Sequence, residues 1–245
     1  MALQSLVALI KMELKKFIRQ PVNLFLNLLF PAVLTIVFIF AFADPEMGMS
    51  INSVVPGLIV YAVIFVIMTI AQSFSTERQE GLLKRLNTTP MTSGEFMGSQ
   101  IITHMLISFL QVIVVFTLAF LLGFRPDSGI QGIFLALPVT AIFSLSSVGL
   151  GLITATVSKT PEAATGISFV FILPQMFFGT FIPITSTTQQ IAKFIPSYYL
   201  LDALKTIFEG DWMNTNIFLD LGVISIVSIS VVIIGILLFE KYGSA

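Results

Sequence analysis

Six stretches of this chain carry no Asp, Glu, Lys or Arg, and each is long enough to cross a membrane once. They cover residues 20–43, 47–76, 96–124, 128–158, 163–192 and 221–239. A helix of about 20 apolar residues spans a bilayer core, so no stretch can make two complete crossings. A barrel would instead show alternating polarity over about ten residues. The sequence therefore predicts an all-α integral membrane protein with six transmembrane helices.

The composition supports this class of protein. Hydrophobic residues make up 56% of the chain and charged residues 10%, whereas a soluble chain has about 25% charged residues. The mean hydropathy is +0.99. We expect one transmembrane domain over residues 1–245, with no room for a second, soluble domain. We predict spans near residues 22–43, 54–75, 100–123, 131–157, 163–184 and 216–239.

The distribution of positive charge predicts the orientation. With six crossings both termini share one face, and nine Lys and Arg residues fall on that face. Only Arg125, Lys193 and Lys205 fall on the other. Because positive loops are retained inside the cell, we expect a multi-pass protein of the cell membrane with both termini cytoplasmic. The chain contains no cysteine, so redox compartment is undetermined.

Residues 1–20 have the pattern of a helix that lies in the membrane interface. Apolar residues recur at helical spacing, and lysines and an arginine occupy the remaining surface. The apolar set is Leu3, Leu6, Val7, Ile10, Leu14, Phe17 and Ile18. Pro21 marks a bend before the first span. Two interpretations stay open: a topology anchor, or a lever that links a cytoplasmic partner to the spans.

Residues 76–100 form the long polar stretch between apolar segments, with six charges of both signs. Thr76 and Gln79 have the spacing of a capping box, which predicts that a helix restarts there. Pro90 would end this helix. Gly81 lowers helix propensity, which suggests the close approach of another backbone. The alternative is a solvated turn between two spans.

A second unusual segment precedes the last span. It is moderately apolar and contains Pro183 and Pro196. A loop this long is uncommon without structure of its own. We predict one or two short helices that dip into the outer leaflet over residues 185–212, with Tyr198, Tyr199 and Trp212 at headgroup depth. The segment is either an outer gate or a membrane-anchoring flap.

Within the spans, His104 is the one ionisable residue that we expect, either as a satisfied interfacial histidine or as a proton relay. Carriers coupled to protons or sodium usually place an ionisable residue there. Gly149 and Gly151, with several Ser, Thr, Asn and Gln residues, are expected to serve helix packing. Such a lining suits an amphiphilic or lipid-like substrate or drug.

Two motifs resemble those of the ABC-2 type permeases, the membrane subunits of ATP-driven exporters. The first is the series Glu77, Arg78, Glu80, Gly81, Lys84, Arg85, Leu86, Thr89, Pro90, Glu95 and Gly98. The family commonly continues with a lysine, and Ser99 and Gln100 stand here instead. The second comprises residues 177–183 and 195–205, which resemble the family's aromatic-Gly-x-x-x-Pro, Pro-x-x-Tyr and Asp-Ala-Leu-basic pattern.

The resemblance implies a coupling helix in residues 76–96 that sits in a cleft of an ATPase. The implied coupling residues are Glu77, Arg78, Glu80, Gly81, Leu82, Leu83, Lys84, Arg85, Leu86 and Pro90. If the outer segment is a gate, we predict that its residues are Phe178, Gly179, Pro183, Pro196, Tyr198, Tyr199 and Asp202.

The resemblance also implies the partners. They are two ATP-binding subunits, a second copy of this permease or a paralogue, and membrane lipid, with no nucleic acid. We expect no catalytic residue, metal or cofactor in this chain, and ATP and Mg on the ATPase. The nearest phosphate-loop candidate, residues 158–160, lacks the glycine before its lysine. The alternatives are a stand-alone secondary transporter or channel, and an intramembrane enzyme.

Overall fold

The computed structural model describes residues 2–19, 21–43, 50–81, 93–181 and 185–243, and within these ranges all regular structure is helical. The α-helices are α1 (Ala2–Arg19), α2 (Pro21–Leu24), α3 (Phe30–Phe42), α4 (Ile51–Ile64), α5 (Val66–Gln79), α6 (Ser93–Leu121), α7 (Gly129–Val157), α8 (Pro161–Met176), α9 (Ser186–Ala192), α10 (Pro196–Glu209) and α11 (Thr215–Leu238). Short π-helical segments cover Phe25–Leu29, Phe177–Phe181 and Phe239–Gly243.

Five helical segments are long and apolar enough to cross a membrane. They are Ile51–Gln79, Glu95–Leu121, Gly129–Val157, Pro161–Gly179 and Thr215–Leu238. In place of the predicted first span, α2, a π-helical segment and α3 follow one another, and the apolar part, Asn27–Phe42, is shorter. The all-helical membrane class is confirmed, while the number of six spans stays a prediction. We call the end of the bundle with Gln79 and Ser93 the inner end, and the opposite end the outer end.

Helix α7 packs against several other helices, and its most extensive contacts are with α11 and α5. Glycines allow these helices to approach closely. A Cβ atom at Gly149 would lie 2.6 Å from the backbone nitrogen of Val232, and one at Gly235 would lie 2.7 Å from the carbonyl oxygen of Gly149. On another face of α7, a Cβ atom at Gly151 would lie 2.7 Å from Cβ of Ile70. The predicted packing role of Gly149 and Gly151 is confirmed.

Local sequence signals fix where several helices begin and end. The Thr160 hydroxyl accepts a hydrogen bond from the amide of Ala163, and Pro161 follows as the first residue of α8. The Asn214 side chain likewise accepts from the amide of Asn216 at the start of α11. Gly210 ends α10 with a φ of 81°, which a residue with a Cβ atom adopts only at a cost.

Two short helices, α9 and α10, lie between the last two long helices, as the sequence predicted. Helix α10 is amphipathic and packs its apolar face against α11, α7 and α4. Leu200, Leu204 and Ile207 are buried in this contact. The outer segment is therefore a packed part of the bundle.

The close contact at Gly149 predicts a stability effect. Gly149→Ala places a methyl group against the α11 backbone, which cannot yield as a flexible side chain can, so we expect a loss of about 1–3 kcal/mol from overpacking. Gly166→Ala is the matched control, because Gly166 is exposed on α8 and no described atom lies within 4 Å of an added Cβ. Thermal denaturation of the purified protein measures both. Equal melting temperatures for the two variants would contradict the close contact.

Candidate functional site

The first feature of the inner end is the way α5 stops. Thr76 lies inside the helix and its hydroxyl donates to the carbonyl oxygen of Gln72 at 2.8 Å, so the predicted helix restart at this residue is wrong. Gly81 follows the helix with a φ of 69°. No described atom lies within 4 Å of a Cβ added there, and the suggested close approach of another backbone stays a prediction. Gly81 is used for its left-handed conformation at the helix end.

Glu77 lies one turn before this end and is fully buried. Lys16 of α1 donates to its Oε1 at 3.0 Å, and Nε2 of Gln100 in α6 lies 3.3 Å from both carboxylate oxygens. A buried carboxylate is tolerated only when it is paired and hydrogen-bonded. Glu77 therefore ties the end of α5 to α1 and α6.

Arg78 makes the matching connection on the other side of α5. Its Nη2 donates to the carbonyl oxygen of Ala155 at 2.7 Å and to that of Ser158. These carbonyls lie at the C-terminal end of α7, where a positive charge is favoured by the helix dipole. Adjacent residues on a helix point about 100° apart. The pair Glu77–Arg78 thus fixes the end of α5 to three other helices.

The remaining predicted coupling residues divide into two groups. Glu80 is exposed at the C-terminal end of α5 and Gly81 is half-buried. The others lie outside the described residues, namely Leu82, Leu83, Lys84, Arg85, Leu86 and Pro90. Among the described coupling residues, Glu77 and Arg78 point inward and Glu80 faces outward.

Sequence reasoning missed Glu13 of α1. Its side chain is buried against the bundle, although it belongs to a helix with several exposed lysines. Burial raises the pKa of Glu13, while the charge of Lys16 opposes the rise. Burial lowers the pKa of Lys16, but the carboxylates of Glu77 and Glu13 outweigh this effect and the pKa lies above its usual value. A signal was present, because Leu9, Glu13 and Phe17 follow one another at intervals of four.

The expectation of a single ionisable residue in the spans is wrong. Glu77 and Asp220 also lie within the long helices, and both are buried. His104 is buried as well, with its Nδ1 2.9 Å from the carbonyl oxygen of Gln100. The predicted second span ended at residue 75, before Glu77. The predicted last span already contained Asp220, but the charge-free stretch used to count ionisable residues begins only at residue 221.

At the outer end, Gly179 allows the second motif to assemble. It lies in the π-helical segment that follows α8, and a Cβ atom there would lie 2.4 Å from Oγ of Ser197. The Ser197 hydroxyl donates to the carbonyl oxygen of Gln175 at 2.8 Å. This bond joins the start of α10 to the end of α8. The half-buried Phe178 and Pro196 flank the two residues in contact.

The other predicted gate residues lie nearby on α10. The rings of Tyr198 and Tyr199 are 5.2 Å apart and nearly perpendicular, and the Tyr199 hydroxyl donates to the carbonyl oxygen of Lys193 at 2.9 Å. Asp202 is half-buried and lies beside Asp220 of α11. Pro183 lies outside the described residues.

In both regions, hydrogen bonds between side chains and neighbouring helices hold the helices together. No group of three His, Asp or Glu side chains able to hold a metal ion occurs in the part of the chain that the structure describes. The buried charges at the inner end join helices that are distant in sequence, and the outer contact does the same through a hydroxyl. Both suit the transmission of movement between helices.

The chain is similar to a known family of transporters. The family described as ABC-2 type transporter matches residues 4–208. The chain is also 25% identical, over 220 residues, to the daunorubicin resistance ABC transporter permease protein DrrB1 of Streptomyces coeruleorubidus. That alignment covers 86% of this chain and 76% of the relative.

The Lys16–Glu77 pair predicts an interaction energy between α1 and α5. Lys16→Met leaves the buried carboxylate with fewer donors, so we expect a loss of about 2–3 kcal/mol. The double variant Lys16→Met with Glu77→Gln should lose less than the sum of the single variants, because it leaves no unpaired charge at position 77. Thermal unfolding of the four proteins measures the cycle. Lys15→Met is the control on the exposed side of α1, and strict additivity would exclude the pairing.

Proposed function

This chain belongs to the ABC-2 type transporter family, and from that premise we propose that it is the membrane-spanning permease subunit of an ATP-binding cassette exporter. The observation that carries the proposal is that the end of α5, which bears the charged motif, is bonded to three other helices. Glu80 is the exposed charged residue at the end of α5. It lies two residues after Arg78 and three after Glu77, which are bonded to α7 and to α1 and α6. A partner that binds this end would therefore act on several helices together.

The coupling step is a rigid-body movement. The proposed docking element runs from Glu80 through residues 82–90, and its charged side chains set the registry with the partner. Leu82, Leu83 and Leu86 supply the apolar contact. A displacement of this element moves the end of α5. Arg78 passes the movement to α7, and Glu77 passes it to α1 and α6, because both bonds resist separation.

The energy source in this proposal is a separate subunit. The sequence at residues 158–160 lacks the glycine that a phosphate-binding loop needs before its lysine. We therefore assign ATP and Mg to two copies of a partner ATPase. A second copy of this permease, or a paralogue, completes the assembly. Both termini and the docking element face the cytoplasm, as the excess of positive charge on that side predicts.

The proposed cargo is an amphiphilic or lipid-like compound or a drug, moved outward. The daunorubicin resistance permease named above is 25% identical to this chain, which supports the drug class. The spans carry many small and weakly polar side chains, such as Ser144, Ser146 and Ser147. A lining of this kind suits a substrate with both apolar and polar parts.

We assign the outer gate to the start of α10 and the π-helical segment before it. The gate opens when α10 separates from α8, and the contact of Gly179 with Ser197 holds it closed. The bond from Ser197 to the Gln175 carbonyl is a single neutral hydrogen bond, worth about 1 kcal/mol. A contact of this strength can open and close without unfolding its helices.

The coupling proposal is tested by reversing one exposed charge. Glu80→Lys should leave membrane insertion intact and weaken co-purification of the ATPase by about tenfold, because a rim charge then repels its partner. Glu209→Lys is the control, since Glu209 is an exposed acid at the outer end. The measurement is quantitative mass spectrometry of the chains that co-purify from native membranes. A chain that emerges alone and moves solute in liposomes without ATP would overturn the proposal.

The gate proposal is tested by adding a methyl group where Gly179 contacts Ser197, and then by removing the side chain that collides with it. Gly179→Ala should shift α10 and slow export by about tenfold, with ATPase binding unchanged, because the added methyl displaces Ser197. Ser197→Gly in the same chain removes the colliding atoms and should restore most of the rate. Transport into inverted vesicles measures both. Normal export by Gly179→Ala would exclude this contact as part of a gate.

A further inference from the structure

A cavity of about 260 Å³ opens at the inner end, beside the Lys16–Glu77 pair. Its walls come from α1, α5 and α6, with contributions from the start of α8 and from the π-helical segment after α2. Glu13 and Lys16 lie on one side, and Thr76, Thr103 and His104 on others. The coupling function described above does not use this space.

The charges around the cavity do not balance. Two buried carboxylates, Glu13 and Glu77, face one ammonium group, Lys16. Lys16 donates to Glu77 at 3.0 Å, and Gln100 also directs its amide to Glu77. Glu13 is stabilised by the charge of Lys16 and by a hydrogen bond from the shared Gln100, but it has no cation of its own. When both acids are ionised, one negative charge there has no counter-charge, and an unpaired buried charge is costly.

Hydrogen-bond partners are also missing there. Oε1 of Glu13 and Oγ1 of Thr103 have no partner among the described residues, although the two side chains are only 5% and 1% exposed. Both residues line the cavity. Buried polar atoms are normally satisfied, and two such atoms around one space indicate a missing occupant that donates hydrogen bonds.

We propose that this cavity binds the ammonium group of a small organic cation, with Glu13 as its counter-charge and Thr103 as a hydrogen-bond acceptor. A positive charge balances the excess carboxylate, and N–H groups match the unsatisfied oxygens. An anion would meet the same negative charge and be repelled. A metal ion finds no set of three ionisable ligands among the described residues.

A second cavity extends the site toward the middle of the bundle. It measures about 150 Å³ and shares Asn27 and Gln72 with the first. Its remaining walls are mainly apolar and include Phe30, Phe65 and Phe169. A ligand fits the two cavities if its ammonium group lies in the first and an apolar substituent extends into the second. The idea that such cations are cargo rests on the proposed permease function. The idea that they bind in this cavity does not depend on it.

Calorimetric titration with small water-soluble probes tests the site without any ATPase. The purified chain in lipid nanodiscs is titrated with benzylamine, benzyl alcohol and benzoate, which share a ring and differ in charge. A cavity of about 150 Å³ holds a benzene ring, so all three fit the space. We expect benzylamine to bind at least about tenfold more tightly than benzyl alcohol, and benzoate not to bind.

Two variants test whether the preference for benzylamine over benzyl alcohol arises in this cavity. Glu13→Gln should remove the preference for benzylamine over benzyl alcohol, and Glu209→Gln, which removes an exposed carboxylate at the outer end, should not change it. If Glu13→Gln does not fold, Thr103→Val provides the test, because it removes one acceptor at nearly constant volume and should weaken benzylamine about threefold.

Two results would overturn the proposal. Equal binding of the amine and the alcohol would mean that a proton neutralises Glu13, and binding that neither variant alters would place the amine elsewhere. Failure to find an ATPase partner leaves this titration unaffected. Absence of amine binding, in turn, leaves the coupling proposal intact.

Discussion

The carboxylate of Glu77 is buried at the end of α5, and the arrangement of the inner end depends on how that charge is held. Lys16 and Gln100 donate to it from two different helices. Without them the charge would cost several kcal/mol, so α1 and α6 must be in place before α5 can end there. The neighbouring Arg78 completes the inner end by binding the last carbonyls of α7.

The rest of the bundle is organised around α7. Glycines on two of its faces bring the α11 and α5 helices within backbone contact. Such contacts replace the hydrophobic effect, which does not favour helix association inside lipid. In the proposed coupling, a movement that begins at Arg78 enters a helix that packs closely against two neighbours. At the outer end, the contact of α8 with α10 includes one neutral hydrogen bond, from Ser197 to the Gln175 carbonyl oxygen. The inner end is joined by charged side chains, whereas the outer end combines this hydrogen bond with the apolar packing of α10.

Much of the fold followed from the sequence. The charge-free stretches predicted the long helices, and the prolines before the last span predicted the short outer helices α9 and α10. The resemblance drawn from the two motifs is confirmed by the family match over residues 4–208. The predictions that failed concern the end of α5 and the number of ionisable residues in the spans. Thr76 has the spacing of a cap, but α5 was already formed and extended through it.

The sequence alone determined that this chain is helical, that it enters a membrane and to which family it belongs, because apolar run length and short motifs are local properties. Tertiary structure alone decided the roles of the charged residues. Glu13 lies within an amphipathic segment, and Glu77 and Asp220 border charge-free stretches, yet all three are buried. Their burial depends on which helices meet them, and contacts between residues distant in sequence leave no periodic signal in the chain.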